Sequence, residues 1–241
     1  MAVNAVLIDL DDTLFDHRAA ARRALESAAA CDPALGRMAF DALESRHRVI
    51  LEDLHHRVLA GAMTVDEARA LRFRMLVEEQ GEACGADRLD RLTATYREAY
   101  QAGWACLAGA RELLAELKRR DARIAIVTNN IVREQVAKVK RLELGPMVDA
   151  LVVSEAVGHA KPASAIFTHA LRELGADAAR AVMLGDSWTA DIEGARGAGM
   201  RAVWFNPSRA PRPADRPEVA ELHALEPAGA AADIVLGCSV P

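Results

Sequence analysis

The first apolar run of the chain ends in a burst of negative charge. Ala5-Val6-Leu7-Ile8 is followed by Asp9, Asp11 and Asp12 within four positions. Apolar residues in unbroken succession, rather than alternating with polar ones, make a strand buried on both faces, as in a parallel sheet covered by helices. Similar short runs recur at Ile124–Val127, Leu151–Val153, Ala181–Leu184, Ala202–Phe205 and Ile234–Leu236. Between the later ones, apolar residues recur at helical spacing. Leu113, Leu114 and Leu117 share one face, as do Val132, Val136 and Val139, and Ile166, Phe167, Ala170, Leu171 and Leu174. This alternation predicts an α/β chain with a doubly wound parallel sheet.

One connection breaks the rhythm. From Ile8 to Ile124 the chain is far longer than an ordinary βαβ crossover. The excess reads as helical throughout. Ile50, Leu54 and Val58 form one stripe; Thr64-Val65-Asp66-Glu67 reads as a capping box that opens a helix striped by Ala68, Leu71 and Met75. Asp87 is placed to cap another helix, with Leu89, Leu92, Tyr96 and Tyr100 on its inner face. The expected organisation is a core domain of residues 1–15 and 104–241, carrying an inserted all-helical domain of residues 16–103. The stretch Asn206–Pro227 holds five of the nine prolines and reads as a surface loop before a last strand at Ile234–Leu236.

Composition narrows the partners. The chain has 241 residues and a net charge of −5, with acids and bases interleaved. Without a basic patch or an aromatic ladder, a nucleic-acid duplex is excluded as a partner. Cys31, Cys84, Cys106 and Cys238 are far apart and make no C-x-x-C pair, as expected of reduced cytoplasmic thiols. No basic leader precedes the first apolar run, and no run reaches the ~20 residues of a membrane span. A cytoplasmic protein with no membrane partner is expected.

In an open parallel sheet, ligands collect at the carboxyl ends of the strands. There the sequence places Asp9-Leu10-Asp11-Asp12-Thr13, then Thr128-Asn129-Asn130, then Gly185-Asp186-Ser187-Trp188-Thr189-Ala190-Asp191. Lys161-Pro162 precedes the helix around Ile166, and Pro162 suits that helix's first turn. Several carboxylates cannot share a small site unpaired. Hard oxygen ligands without a nearby His or Cys pair favour Mg²⁺, which completes its shell with water and phosphate oxygens.

The segments "DLDDT", "TNN", "AKP" and "GDSWTAD", in this order, resemble the four motifs of the haloacid dehalogenase superfamily. More narrowly they are similar to its phosphatase branch, with a helical cap inserted after the first motif and a Rossmann-like core. The resemblance runs from Val6 to about Asn206. It implies a Mg²⁺-dependent phosphomonoester hydrolase acting on a small phosphorylated metabolite, a nucleotide or sugar phosphate, through an aspartyl-phosphate. Asp9 would be the nucleophile, and Asp11 would protonate the leaving oxygen and then deprotonate water. Thr13 would position the phosphoryl group. Thr128 and Asn129 would bind it, and Lys161 would neutralise it while steadying Asp9. Asp9, the backbone carbonyl of Asp11 and Asp186 would hold the metal, with Asp191 acting through water or orienting the shell. Asp12 would point away as a turn residue. Asn130 stands where the family often has glycine, and Asn tolerates a left-handed backbone.

Rival readings use the same fold. A 2-haloacid dehalogenase needs neither metal nor a second acid, so Asp11 argues against it. A phosphonate hydrolase would need a cap lysine, and residues 16–103 contain none. A sugar phosphomutase needs the same core. A non-catalytic relative would have lost Asp9, Asp11 or Lys161. Elsewhere, Gly194-Ala195-Arg196-Gly197-Ala198-Gly199 reads as tight helix packing and a C-cap rather than a dinucleotide loop. His55 and His56 read as a solvated pair, His159 as a turn residue or substrate contact, and Tyr96 and Tyr100 as core of the insertion. Phe15, Asp16 and His17 are the better candidates for leaving-group contacts. The helical stripes name neither a leaving group nor an oligomeric state.

Overall fold

The computed structural model of the protein describes residues 3–214 and 217–238. The chain divides into two compact units, Met1–Asp16 with Ala105–Pro241, and His17–Trp104. The second unit is helical. Its elements are α1 (His17–Ala30), α2 (Pro33–Gly36), α3 (Phe40–Leu59), α4 (Val65–Glu78) and α5 (Ala86–Ala102). Its core is built from Leu25, Leu43, Ile50, Phe73, Leu76 and Leu92, with Tyr96 set edge-on to Phe73. The Thr64–Glu67 capping box opens α4, as the sequence implies. The buried face of that helix is Arg72, Phe73, Leu76 and Val77, whereas Ala68, Leu71 and Met75 lie at its half-buried edge. Short apolar residues around the helix left its phase ambiguous, and the large Phe73 decides it. Gly85, not Asp87, is the N-cap of α5; Asp87 sits in its first turn, facing the positive end of the helix dipole.

The other unit carries the sheet. Its strands are β1 (Ala5–Ile8), β2 (Arg123–Thr128), β3 (Ala150–Val153), β4 (Ala181–Gly185), β5 (Arg201–Phe205) and β6 (Ala220–Leu222). Their spatial order is β3-β2-β1-β4-β5-β6, and every pairing is parallel. The α/β class expected from the unbroken apolar runs is the class observed. Ala5–Ile8 are fully buried because β1 lies at the centre with helices on both faces. Its helices are α6 (Ala110–Arg119), α7 (Val132–Arg141), α8 (Ser154–Val157), α9 (Ser164–Glu173), α10 (Gly194–Gly197) and α11 (Ala228–Leu236). A π-helical turn, Trp188–Glu193, leads into α10. Gly194 admits the close approach of α9, since a Cβ there would lie 2.8 Å from the Phe167 ring. Gly194 is thus a packing device, whereas Gly197 has open space beside it and Gly199 adopts a left-handed backbone after α10.

Three expectations are corrected. Ile234–Leu236, read as the last strand, is the end of α11. The run Ala228-Gly229-Ala230-Ala231-Ala232 precedes it, and alanine is the best helix former, so the apolar triplet is carried along a helix that stops at left-handed Gly237. The sixth strand lies instead at Ala220–Leu222, inside the stretch read as loop, pairing with Val203–Phe205 at the sheet edge. Pro162 is also not in a first helical turn. It precedes the N-cap Ala163 of α9, and the Lys161–Pro162 peptide is cis.

In the helical unit, Asp32 caps α2, accepting from the N–H groups of Ala34 and Leu35 at 3.0 and 3.3 Å. The Arg88 guanidinium grips the same carboxylate from two nitrogens at 2.6 and 2.7 Å. Arg88 and these N–H groups hold the Asp32 carboxyl below its ordinary range. Asp32→Ala should therefore lower the unit's stability by about 1–3 kcal/mol. A depressed native pKa stabilises above the unfolded value of about 3.9 and loses its effect as pH falls through the native value. Chemical denaturation should show a large gap between wild type and variant at pH 7 that narrows at the acid end; a pH-independent gap would contradict the ionic part.

Candidate active site

The order of the sheet brings the motifs together. β1 pairs with β2 on one side and β4 on the other, so the carboxyl ends of these three strands adjoin where the winding reverses. Asp9 follows β1, and its N–H extends the ladder to the Leu184 carbonyl at 2.9 Å. Thr128 ends β2 and Gly185 ends β4. Beyond Asp9 the chain turns sharply: the N–H groups of Leu14 and Phe15 donate to the Leu10 carbonyl at 3.0 and 2.8 Å. Asp12 sits in that turn with φ of 63°, a left-handed conformation that Asp tolerates better than most residues.

Lys161 is the hub. Its buried Nζ donates to Asp9 Oδ1 at 2.6 Å, to Asp191 Oδ1 at 2.7 Å and to the Val127 carbonyl at 2.8 Å. All three ammonium protons are used, one toward each strand end. Asn129 fixes the backbone that carries the lysine. Its Oδ1 accepts from the Lys161 N–H at 2.7 Å and its Nδ2 donates to the Lys161 carbonyl at 2.9 Å. The carboxamide expected on the substrate is thus engaged as a clamp on Lys161. Burial pushes the Asp9 carboxyl well above the usual range; Lys161 opposes this, while Asp191 and Asp186 add to it. Burial also works against the Lys161 ammonium, but Asp191 and Asp9 outweigh it and raise its pKa above the ordinary lysine value.

Asp191 is almost fully buried. The π-helical turn folds it back so that its Oδ2 accepts from the Ser187 N–H at 3.0 Å, while Ser187 Oγ accepts from the Ala190 N–H. Gly185 makes room for it: a Cβ there would lie 2.3 Å from an Asp191 oxygen. The Trp204 indole donates to the Asp186 carbonyl at 2.9 Å and stands edge-on to Trp188. Thr13 is fully buried, and its hydroxyl has no partner among the described residues. Asn130 does not adopt a left-handed backbone; its side chain instead accepts from the Ile131 N–H at 2.9 Å.

The haloacid dehalogenase-like hydrolase family matches residues 3–199 of this chain. The chain belongs to that family. The hydrolase is 34% identical over 242 residues to the ribulose-1,5-bisphosphate 5-phosphatase of Halopiger xanaduensis, spanning 96% of this chain and 98% of the relative. Among solved structures it is similar to the magnesium-bound HAD-hydrolase YfnB of Bacillus subtilis. That likeness has a TM-score of 0.76 and 27% identity, and covers 94% of this chain and 96% of YfnB. It is also similar to a 2-haloacid dehalogenase of Pseudomonas syringae pv. Tomato, with a TM-score of 0.63 and 27% identity over 98% of this chain and all of that one.

The hydrolase has the donor set of a hard-cation site. Carboxylate oxygens of Asp9, Asp186 and Asp191 lie within 4.8 Å of one another. Three carboxylates this close together are the kind of oxygen donor set that a divalent cation prefers.

Two residues at the site escaped the sequence reading. Gln135 and Lys138, on α7, are buried, whereas Val136 on the expected apolar face is 48% exposed. Lys138 Nζ donates to Asp11 Oδ1 at 2.5 Å, and Gln135 Nε2 donates to Asp11 Oδ2 at 2.9 Å and to Thr128 Oγ1 at 2.8 Å. The detectable signal was two long polar side chains three apart, in the first turns of a helix that starts at the motif-bearing end of β2. His159 is exposed, as are His55 and His56. Tyr96 is core of the helical unit, and the Tyr100 hydroxyl lies 2.7 Å from His17 Nδ1. Phe15 is fully buried, with the Lys138 ammonium 4.8 Å from its ring centroid.

Gly185→Ala tests the arrangement directly. A methyl group must displace the Asp191 carboxylate, and displacement of a positioning group by about 1 Å costs on the order of 100-fold in turnover. Hydrolytic turnover should fall by that order while the variant stays folded by circular dichroism; undiminished turnover would show that Asp191 has no part in positioning Lys161.

Proposed function

We propose that this hydrolase is a Mg²⁺-dependent phosphatase of small phosphorylated metabolites, working through an aspartyl-phosphate on Asp9. The observation that carries the reading is the pairing of two carboxylates in different settings. Asp9 is buried on Lys161, and Asp11 is held apart from it by Lys138 and Gln135. One suits a nucleophile and the other a group that moves protons.

In the proposed reaction a carboxylate oxygen of Asp9 forms a bond to phosphorus as the ester P–O bond breaks. Asp11 gives its proton to the departing oxygen. Asp11 then takes a proton from water, which attacks phosphorus, releases inorganic phosphate and frees Asp9. Lys161 holds Asp9 throughout and offsets the phosphoryl charge, and the Thr128 hydroxyl contacts a phosphoryl oxygen. Thr13 and Asn129 shape the same pocket, Asn129 through its clamp on Lys161. Asp9, Asp186 and the Asp11 backbone carbonyl would hold Mg²⁺, with Asp191 orienting the set. The ion would supply the positive charge that shields the transferring group and makes in-line attack possible.

A dehalogenase on this fold has no use for the second carboxylate, so the well-held Asp11 favours the phosphatase. The 34% identity to a protein named for a sugar bisphosphate makes sugar phosphates the first class to assay, with nucleotides next. The helical unit is proposed as the specificity-setting cap. The free cysteines and the absence, among described residues, of a helix able to cross a membrane fit a cytoplasmic enzyme.

Hydrolysis of 4-nitrophenyl phosphate should require Mg²⁺ and cease with excess chelator; equal rates with and without chelator would remove the metal from the reading. Asp9→Asn should lose at least about 10³-fold in kcat, the scale on which a covalent route is forfeited. Acid quench during turnover should leave phosphorus on the peptide containing Asp9. Phosphoenzyme without release of inorganic phosphate would instead mark a phosphomutase.

A further inference from the structure

The contacts around Asp11 carry more than its orientation. Both of its carboxylate oxygens are occupied, Oδ1 by Lys138 and Oδ2 by Gln135, and the two donors stand three apart on α7. Lys138 is 1% exposed and Gln135 fully buried. A lysine is rarely taken out of water without a purpose for its charge. Gln135 bridges two groups of the site. Its Nε2 serves both Asp11 and Thr128, while its Oε1 is buried with no partner among the described residues. The opposite amide orientation would face a carbonyl oxygen toward the Asp11 carboxylate, so the observed one is dictated by charge.

The consequence reaches Thr128. Its Oγ1 accepts from Gln135, so the hydroxyl proton must be donated elsewhere, toward the position where a phosphoryl oxygen binds in the proposed function. Asp11, Gln135 and Thr128 thus form one hydrogen-bonded chain from the leaving-group side of the site to the phosphoryl side.

We propose that Lys138 and Gln135 are positioning residues for phosphoryl transfer. Lys138 holds the Asp11 carboxyl in line with the departing oxygen, and Gln135 couples that orientation to the direction of the Thr128 hydroxyl proton. This rests on the phosphatase reading and assigns two residues to it. The step served is unchanged in balance: Asp9 bonds to phosphorus, the ester P–O bond breaks, and the proton on Asp11 goes to the leaving oxygen.

The test uses leaving groups of different demand. Ribose 5-phosphate departs as a strongly basic alkoxide and needs a well-aimed acid; 4-nitrophenyl phosphate departs as a weakly basic phenolate and hardly needs one. In the full-length Mg²⁺-loaded protein, Lys138→Met should lower kcat/KM for ribose 5-phosphate by about 100-fold, within the range assigned to general acid catalysis. The loss with 4-nitrophenyl phosphate should stay under about 10-fold, and Lys138→Arg should recover much of the difference. Gln135→Glu, which reverses the hydrogen bond to Thr128, should in addition raise KM for both substrates. Gln135→Met, of similar volume, repeats the leaving-group comparison should Lys138→Met not fold. Equal losses on both substrates, or none on either, would overturn the assignment, because a merely structural role scales all substrates alike. If wild type hydrolyses neither ester, the phosphatase reading itself fails, which is a separate result.

Discussion

The structure around the strand ends depends on one buried ammonium group. Lys161 donates to Asp9 beyond β1, to the last carbonyl before Thr128 in β2, and to Asp191 in the turn beyond β4. Two carboxylates this close in a buried place would repel and one would stay protonated. The lysine makes their proximity tolerable, and in return they keep it charged out of water. Nothing else among the described contacts of Asp9 or Asp191 could substitute for it: the Ser187 N–H satisfies one oxygen of Asp191 but brings no net charge.

Everything near the lysine is arranged to keep it there. Asn129 grips both backbone polar groups of Lys161, Gly185 removes the atom that would occupy Asp191's place, and Ser187 caps the turn from which Asp191 projects. These contacts join segments that lie far apart in the chain, and the parallel sheet makes that possible. Because β1 is flanked by β2 and β4, three loops open at the same edge and side. The α7 helix, starting right after β2, then lines the flank with Gln135 and Lys138.

The fold class was legible because burial on both faces of a strand leaves a mark that no local ambiguity erases, namely apolar residues without alternation. Helix phase was less legible. On α7 the valines at 132, 136 and 139 outvoted Gln135 and Lys138 as the inner face, since periodicity counts apolarity and cannot see a carboxylate waiting on the other side. The structure buries the polar pair because Asp11 offers them partners. The tail failed for a different reason. Ile234-Val235-Leu236 has the composition of a strand, but the alanines before it commit the segment to a helix, and β6 is a short edge strand with too little apolar character to stand out among prolines. Asp9 and Thr128 stood out because each directly follows an apolar run; in the structure Lys161 meets Asp9 and Asp191 at that edge, and Gln135 links Asp11 to Thr128.

By itself the sequence determined the α/β class, the strands that carry the motifs, and the residue types available for chemistry at their ends, because these follow from local composition and chain order. Only the tertiary structure decided which of those groups touch. It spent the Asn129 carboxamide on Lys161, packed Asp191 against the lysine, left the Thr13 hydroxyl without a partner among the described residues, and recruited Gln135 and Lys138 to Asp11. Hydrogen bonds and ion pairs act over a few ångströms, and distances of that order between residues far apart in the chain exist only once the sheet has set its strands side by side.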